Sequence, residues 1–129
     1  MADSSLMKTT ILLLVADPIV RSVLRETLDG EGYTVLATGD LGDAVDLLKQ
    51  SSPDLLITRM YVQTMSGHDV AAYLCTKRPK MRVLLVGGLL DDERLQHREA
   101  LQGFEVFPKP YPRAVLLQKV KEVLSKPRG

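Results

Sequence analysis

Arg59 and Lys109 are cations that follow directly on short apolar runs, and Asp17 is a carboxylate in the same kind of place. A guanidinium beside an ammonium suits an oxyanion such as a phosphate, a nucleotide or a partner's carboxylate. A carboxylate with companions holds a hard divalent metal through oxygen. Other reactive types stand apart from these. His68 and His97 have no Cys or His companions at metal-ligand spacing, so solvated side chains are expected. Cys75 is the single cysteine and can form no internal disulfide; its apolar surroundings read as those of a buried small hydrophobe, not a nucleophile. No Gly-x-Gly-x-x-Gly follows the first apolar run and no Gly-Lys-Ser/Thr run exists, so the common nucleotide cradles are unsupported. Gly39 and Gly42 read as a turn and a helix start.

The elements that must position these residues alternate between short apolar runs and longer amphipathic segments. Ile11 to Ala16 is a continuous apolar run, as expected of a strand buried on both faces. Asp17-Pro18 then opens a helix, with Asp17 capping the free amides and Pro18 losing no hydrogen bond in the first turn. Val20, Val23, Leu24 and Leu28 form its inward stripe. Tyr33–Thr38, Asp54–Thr58, Arg82–Val86 and Phe104–Phe107 read as further strands. Leu41, Ala44, Val45 and Leu48 mark a second helix, and Val70, Ala71 and Leu74 a third, with an irregular loop before it. Asp91 to Gln102 reads as a more polar helix, and Leu116, Val120, Val123 and Leu124 share a face on the last. Leu89-Leu90 is expected to tuck under the next helix, and Pro108–Pro112 to form a rigid strand-to-helix loop.

Five strands each followed by a helix imply an α/β fold, a single doubly wound (βα)5 domain with helices on both faces of a parallel sheet. In such a sheet the chemistry gathers outside the carboxyl ends of the strands. The residues in question are then Val15, Ala16 and Asp17, Thr38 and Gly39, Arg59, Gly87, and Lys109.

The chain has 129 residues, enough for one domain with its own core. Residues 10–126 are assigned to that domain, 1–9 to a disordered or non-native leader and 127–129 to a tail. Seventeen basic residues against sixteen acidic ones give a net charge of +1, no electrostatic footprint for nucleic acid or an anionic membrane. The longest apolar stretch falls far short of a membrane span and no signal-peptide core is present, so a cytoplasmic protein is expected.

From Thr10 to Leu124 the chain resembles response-regulator receiver domains. The resembling segments are Ile11-Leu12-Leu13-Leu14-Val15-Ala16-Asp17-Pro18-Ile19-Val20-Arg21, Pro53-Asp54-Leu55-Leu56-Ile57, Met65-Ser66-Gly67 and Phe107-Pro108-Lys109-Pro110-Tyr111. Each is weak alone; their order and spacing make the match specific. The resemblance implies the flavodoxin-like strand order 2-1-3-4-5. It also implies a phosphoryl-accepting aspartate ending the third strand and an acidic pair ending the first, which together hold Mg²⁺. A Thr or Ser ending the fourth strand and a Lys ending the fifth would touch the phosphoryl oxygens.

Counted back from Met65-Ser66-Gly67, the acceptor position falls on Arg59. An arginine stays protonated and offers no nucleophilic lone pair. The ungapped match puts the acidic pair on Val15 and Ala16, and a one-residue gap would make Asp17 one member of it. The hydroxyl position falls on Gly87, and Val106 stands where the family often has an aromatic; Lys109 is retained. The resemblance therefore implies a degenerate receiver, with Mg²⁺ binding lost or very weak, no other cofactor and no enzymatic activity. It would act in bacterial two-component (phosphorelay) signalling by contact with another signalling protein (a histidine kinase or output domain) or with a second copy. Two other readings stand beside this one: a phosphoacceptor at an unconventional residue, for which Asp54 and Ser66 are poorly placed, and a small-anion sensor using Arg59 and Lys109. Arg59 is alternatively expected to pair with Asp17.

Overall fold

A run such as Ile11-Leu12-Leu13-Leu14 offers apolar side chains in both parities, so a strand made from it must be covered on both sides. The computed structural model of the chain describes residues 9–59, 61–62, 65–87, 105–108 and 113–125. They form β1 (Thr10–Leu14), α1 (Pro18–Gly30), β2 (Thr34–Thr38), α2 (Leu41–Gln50), β3 (Leu55–Arg59), β4 (Tyr61–Val62), β5 (Met65–Ser66), α3 (Gly67–Lys77), β6 (Arg82–Gly87), β7 (Glu105–Pro108) and α4 (Arg113–Ser125). The main sheet has the order β2-β1-β3-β6-β7 and every pairing in it is parallel. Counted along the chain, its strands are ordered 2-1-3-4-5, as the resemblance implies.

Each parity of the strands feeds its own core. Leu12, Leu14, Leu56, Val83 and Leu85 pack against Ala44 and Leu48 of α2 and Val70, Ala71 and Leu74 of α3. Ile11, Leu13, Leu55, Ile57, Leu84 and Val86 pack against Leu24 and Leu28 of α1 and Leu116, Val120 and Val123 of α4. The in-register pairs Leu12–Leu56 and Leu13–Ile57 keep the parities aligned from strand to strand. Each such leucine or isoleucine contributes about 1.5–3 kcal/mol of burial. Cys75 is buried in the first of these cores, as expected.

Three features differ from the expectations above. Val23 is 58% exposed, because α1 turns its Leu24–Thr27–Leu28 face inward instead. Thr27 satisfies its hydroxyl on the Val23 carbonyl, 3.0 Å away, which lets a polar residue take an inner position. The segment after β3 is not irregular throughout: β4 and β5 pair antiparallel, Tyr61 with Ser66 and Val62 with Met65. Strand limits also move by one or two residues, so that Val15 and Ala16 lie beyond β1 and Arg59 and Gly87 close their strands. The expected polar helix at Asp91–Gln102, Leu89-Leu90, His97 and the loop after Pro108 lie outside the described residues. No helix among the described residues is long and apolar enough to cross a membrane.

At the far end of the sheet, Arg78 holds the α2–β3 turn. Its Nε donates to the Ser51 carbonyl at 3.2 Å, its Nη2 to the Leu48 carbonyl and its Nη1 to the Lys77 carbonyl at 3.0 Å. Leu48 and Ser51 lie at the C-terminal end of α2, where helix carbonyls have no intrahelical donor. Between α1 and α4, burial raises the Tyr33 phenol above its ordinary value, opposed by the Lys121 ammonium. Replacing Arg78 with alanine is expected to lower the unfolding free energy by about 2 kcal/mol, with lysine recovering only part of it. Urea denaturation measures this, and an unchanged midpoint would mean that water replaces these bonds without cost.

Candidate functional site

The parallel pairing brings the ends of β1, β3 and β6 to one edge of the sheet. Leu14 is paired with Thr58, and Arg59 with Val86, so Val15, Arg59 and Gly87 each stand at or one step beyond the last rung. Thr58 Oγ1 donates to the Leu14 carbonyl at 2.7 Å and is fully buried, which ties the two strand ends together. Gly87 is paired with Pro108 at the end of β7. Lys109 follows in sequence and lies outside the described residues, and so does its expected meeting with Arg59.

Val15 is wholly buried in the core that α1 and α4 share, and its amide donates to the Thr38 carbonyl at 3.0 Å. Ala16 is exposed and carries no donor or acceptor beyond its backbone. Asp17 is the N-cap of α1, its carboxylate accepting from the Ile19 and Val20 amides at 2.8 and 3.2 Å. That arrangement satisfies two amides that a helix start leaves open. It realises the capping role expected from Asp17-Pro18. Arg59 is half-buried. The ion pairs between described residues include Arg25–Asp29, Lys49–Asp46, Lys119–Glu122 and Lys121–Glu31; the expected Arg59–Asp17 pair is not among them.

Arg21 is a participant that the sequence pattern did not single out, since it stands there only within a matching segment. Its Nη1 donates to the Val15 carbonyl at 2.8 Å and reaches the Ala16 carbonyl at 3.4 Å. The guanidinium therefore lies back across the end of β1, over Gly39. A Cβ on Gly39 would collide with that guanidinium and stand 3.2 Å from the Val15 carbonyl. Gly39 is thus a residue of close approach, not only a turn former. The available signal was positional: Arg21 lies in the first turns of α1, beside the strand end from which that helix departs.

Comparison with known proteins agrees with this architecture. The family model of the response regulator receiver domain matches residues 11–121. The chain is 29% identical over 122 residues to the probable C4-dicarboxylate response regulator DctR of Priestia megaterium, covering 93% of this chain and 52% of that protein. It thus spans about half the length of that relative. A response regulator receiver protein from Sinorhizobium medicae superposes with a TM-score of 0.77 at 25% identity, over 92% of this chain and 96% of the other. The chemotaxis response regulator CheY4 of Vibrio cholerae gives 0.78 at 18% identity, over 91% and 99%, a likeness of fold. With the sheet order, the two-layered core and the family match in agreement, the chain belongs to the response regulator receiver domain family, the signalling modules of two-component systems.

Proposed function

We propose that this receiver domain signals through protein contact without being phosphorylated. The observation that carries the reading is Arg59 at the carboxyl end of β3, the central strand of the sheet. A guanidinium there cannot take a phosphoryl group, because its nitrogens stay protonated and delocalised. The neighbouring positions support the same reading. Gly87 has no hydroxyl to offer a phosphoryl oxygen, and Val15 and Ala16 have no carboxylates.

The residues at this edge do not suit the Mg²⁺ that the family implies. The Val15 and Ala16 carbonyl oxygens face the Arg21 guanidinium, and Arg59 adds a second positive charge to the edge. Asp17 engages the start of α1. No group of three or more His, Cys, Asp or Glu able to hold a metal ion occurs among the described residues. A hard cation that keeps most of its waters still needs carboxylates, and a cationic surround opposes it.

The unconventional acceptors fare worse in this geometry. Asp54 precedes β3 at the opposite edge, where its Oδ2 accepts from the Thr10 amide at 2.9 Å. Ser66 is the N-cap of α3, with Oγ accepting from the Asp69 amide at 3.1 Å. The partner in this reading is a histidine kinase, an output domain or a second copy of the chain, and the place of action is the cytoplasm.

Incubation with Mg²⁺ and acetyl phosphate is expected to leave the intact mass unchanged, and beryllofluoride with Mg²⁺ to produce no spectral change. A stable phosphoadduct on an acidic residue would overturn the proposal. Rebuilding the acidic pair should also be unequal. Val15→Asp places a carboxylate in the core and is expected to cost several kcal/mol or to shift that group's pKa upward. Ala16→Asp is exposed and should stay within about 0.5 kcal/mol of the parent. Thermal or urea unfolding of the two single variants compares them, and equal stability would contradict the inward placement of Val15.

A further inference from the structure

The main sheet ends laterally in β2 on one side and β7 on the other, and the two edges are made differently. An edge strand leaves a row of amides and carbonyls unpaired, and folded proteins blunt such rows with charged residues, proline or a bulge. β7 contains Glu105 and ends in Pro108. β2 is Thr34-Val35-Leu36-Ala37-Thr38, with no charge and no proline, and it runs in unbroken register with Thr10–Leu14 of β1. Among the described residues no strand pairs with its outer side.

Two bonds fix which backbone groups point outward. The Thr34 amide donates to the Thr9 carbonyl at 2.9 Å, and the Thr38 carbonyl accepts from the Val15 amide at 3.0 Å. Backbone groups alternate sides along a strand, so those of Thr34, Leu36 and Thr38 face β1. The amides and carbonyls of Val35 and Ala37 then face away from the sheet. The side chains beside this row are apolar. Val35 is buried in the core under α1 and Ala37 is half-buried against it, while Leu36, like Leu41 and Val45 of α2, is half-buried against the other core.

The sequence of β2 is close to its own antiparallel complement. A two-fold axis through Leu36 sets Thr34 opposite Thr38 of a second copy, Val35 opposite Ala37, and Leu36 opposite its own counterpart. Val35 and Ala37 then form the hydrogen-bonded pairs, each pair exchanging both of its bonds. Leu36 meets its counterpart in a non-hydrogen-bonded pair, where Cα atoms approach to about 4.5 Å. Threonine opposite threonine is a favourable cross-strand pair. In this register every outward backbone group of Val35 and Ala37 finds a partner.

We infer that β2 is a homodimer edge: two copies of the chain pair antiparallel through Thr34–Thr38 and join their sheets into one. This deepens the contact reading above by choosing the second copy as partner, and it rests on that reading for its role in signalling. A foreign extended peptide would need only the unpaired row; the two-fold symmetry of the strand's own sequence favours a second copy.

The test is sedimentation velocity of the full chain between about 10 μM and 1 mM, with amide hydrogen exchange read by NMR at both ends of that range. A monomer–dimer equilibrium is expected. The Val35 and Ala37 amides should exchange fast in the dilute sample and gain roughly ten-fold protection in the concentrated one, whereas the Leu36 amide, facing β1, is protected in both. Ala37→Pro removes an outward donor and no bond to β1, so it should weaken dimerisation roughly ten-fold with a cooperative melt retained. Leu36→Lys sets like charges on the axis and should weaken it similarly, with added salt restoring part of the loss. Arg25→Gln, on α1, should leave the dimer unchanged. If either variant fails to melt cooperatively, exchange in the parent chain decides. A monomer throughout the range, protection of Val35 and Ala37 that ignores concentration, or a dimer indifferent to both folded variants would each overturn the inference. A monomer that takes up no phosphoryl group would sink this inference while leaving the phosphorylation-independent reading in place.

Discussion

β1 is buried on both faces, and the molecule is organised around that fact. Ile11 to Val15 have no exposure at all, so every backbone amide and carbonyl there must find a partner in a neighbouring strand, and every side chain must be apolar. β2 and β3 supply the backbone partners by parallel pairing on either side. Parallel pairing in turn requires long crossovers, and these are the helices that cover the two faces. A strand so enclosed has no room for chemistry along its length. Polar function is confined to its two ends.

At the carboxyl end the two central strands finish in different ways. β1 passes into Val15, whose side chain goes inward, and then into Asp17, whose carboxylate caps α1. β3 finishes in half-buried Arg59. Arg21 folds back to the carbonyls of Val15 and Ala16, an interaction possible only because Gly39 leaves the space above β2 clear. On the proposed reading, the receiver scaffold is kept while the positions at this edge where the resemblance expects carboxylates carry Val15, Ala16 and Arg59. Such an edge can still meet a partner protein, but by different electrostatics from those of a metal-bound phosphoaspartate.

The amino-terminal edge follows another logic. There the helices end, their last carbonyls point outward, and cations are drawn to them. Arg78 meets that demand inside the structure, joining α2 to the turn that enters β6. Asp54 meets the opposite demand, joining the starts of β1, β3 and β6 through its side chain and backbone. A cleft lined by Lys77, Arg78, Lys80, Arg82 and Asp54 opens beside them on this frame.

The layered architecture was legible in the chain alone. Apolar runs in both parities require a sheet covered on both faces, and helical stripes such as Ala44–Leu48, Val70–Leu74 and Leu116–Val120–Val123 supply the cover; all of these are buried. Residue chemistry at the strand ends was equally legible, since no fold can give Arg59 a nucleophile or Gly87 a hydroxyl, and the Asp17-Pro18 pair already spelled a helix cap. Direction and company came only with the packed molecule. It turned Thr27 inward and Val23 outward, because a threonine can return its hydroxyl to its own helix and so be buried cheaply. Arg21, unremarkable in the chain, was carried to the end of β1, and Lys77 and Lys80 were gathered with Arg78 and Arg82 around one cleft. Periodicity reports which side chains need water removed, whereas contacts between residues distant in sequence depend on how the packed layers meet.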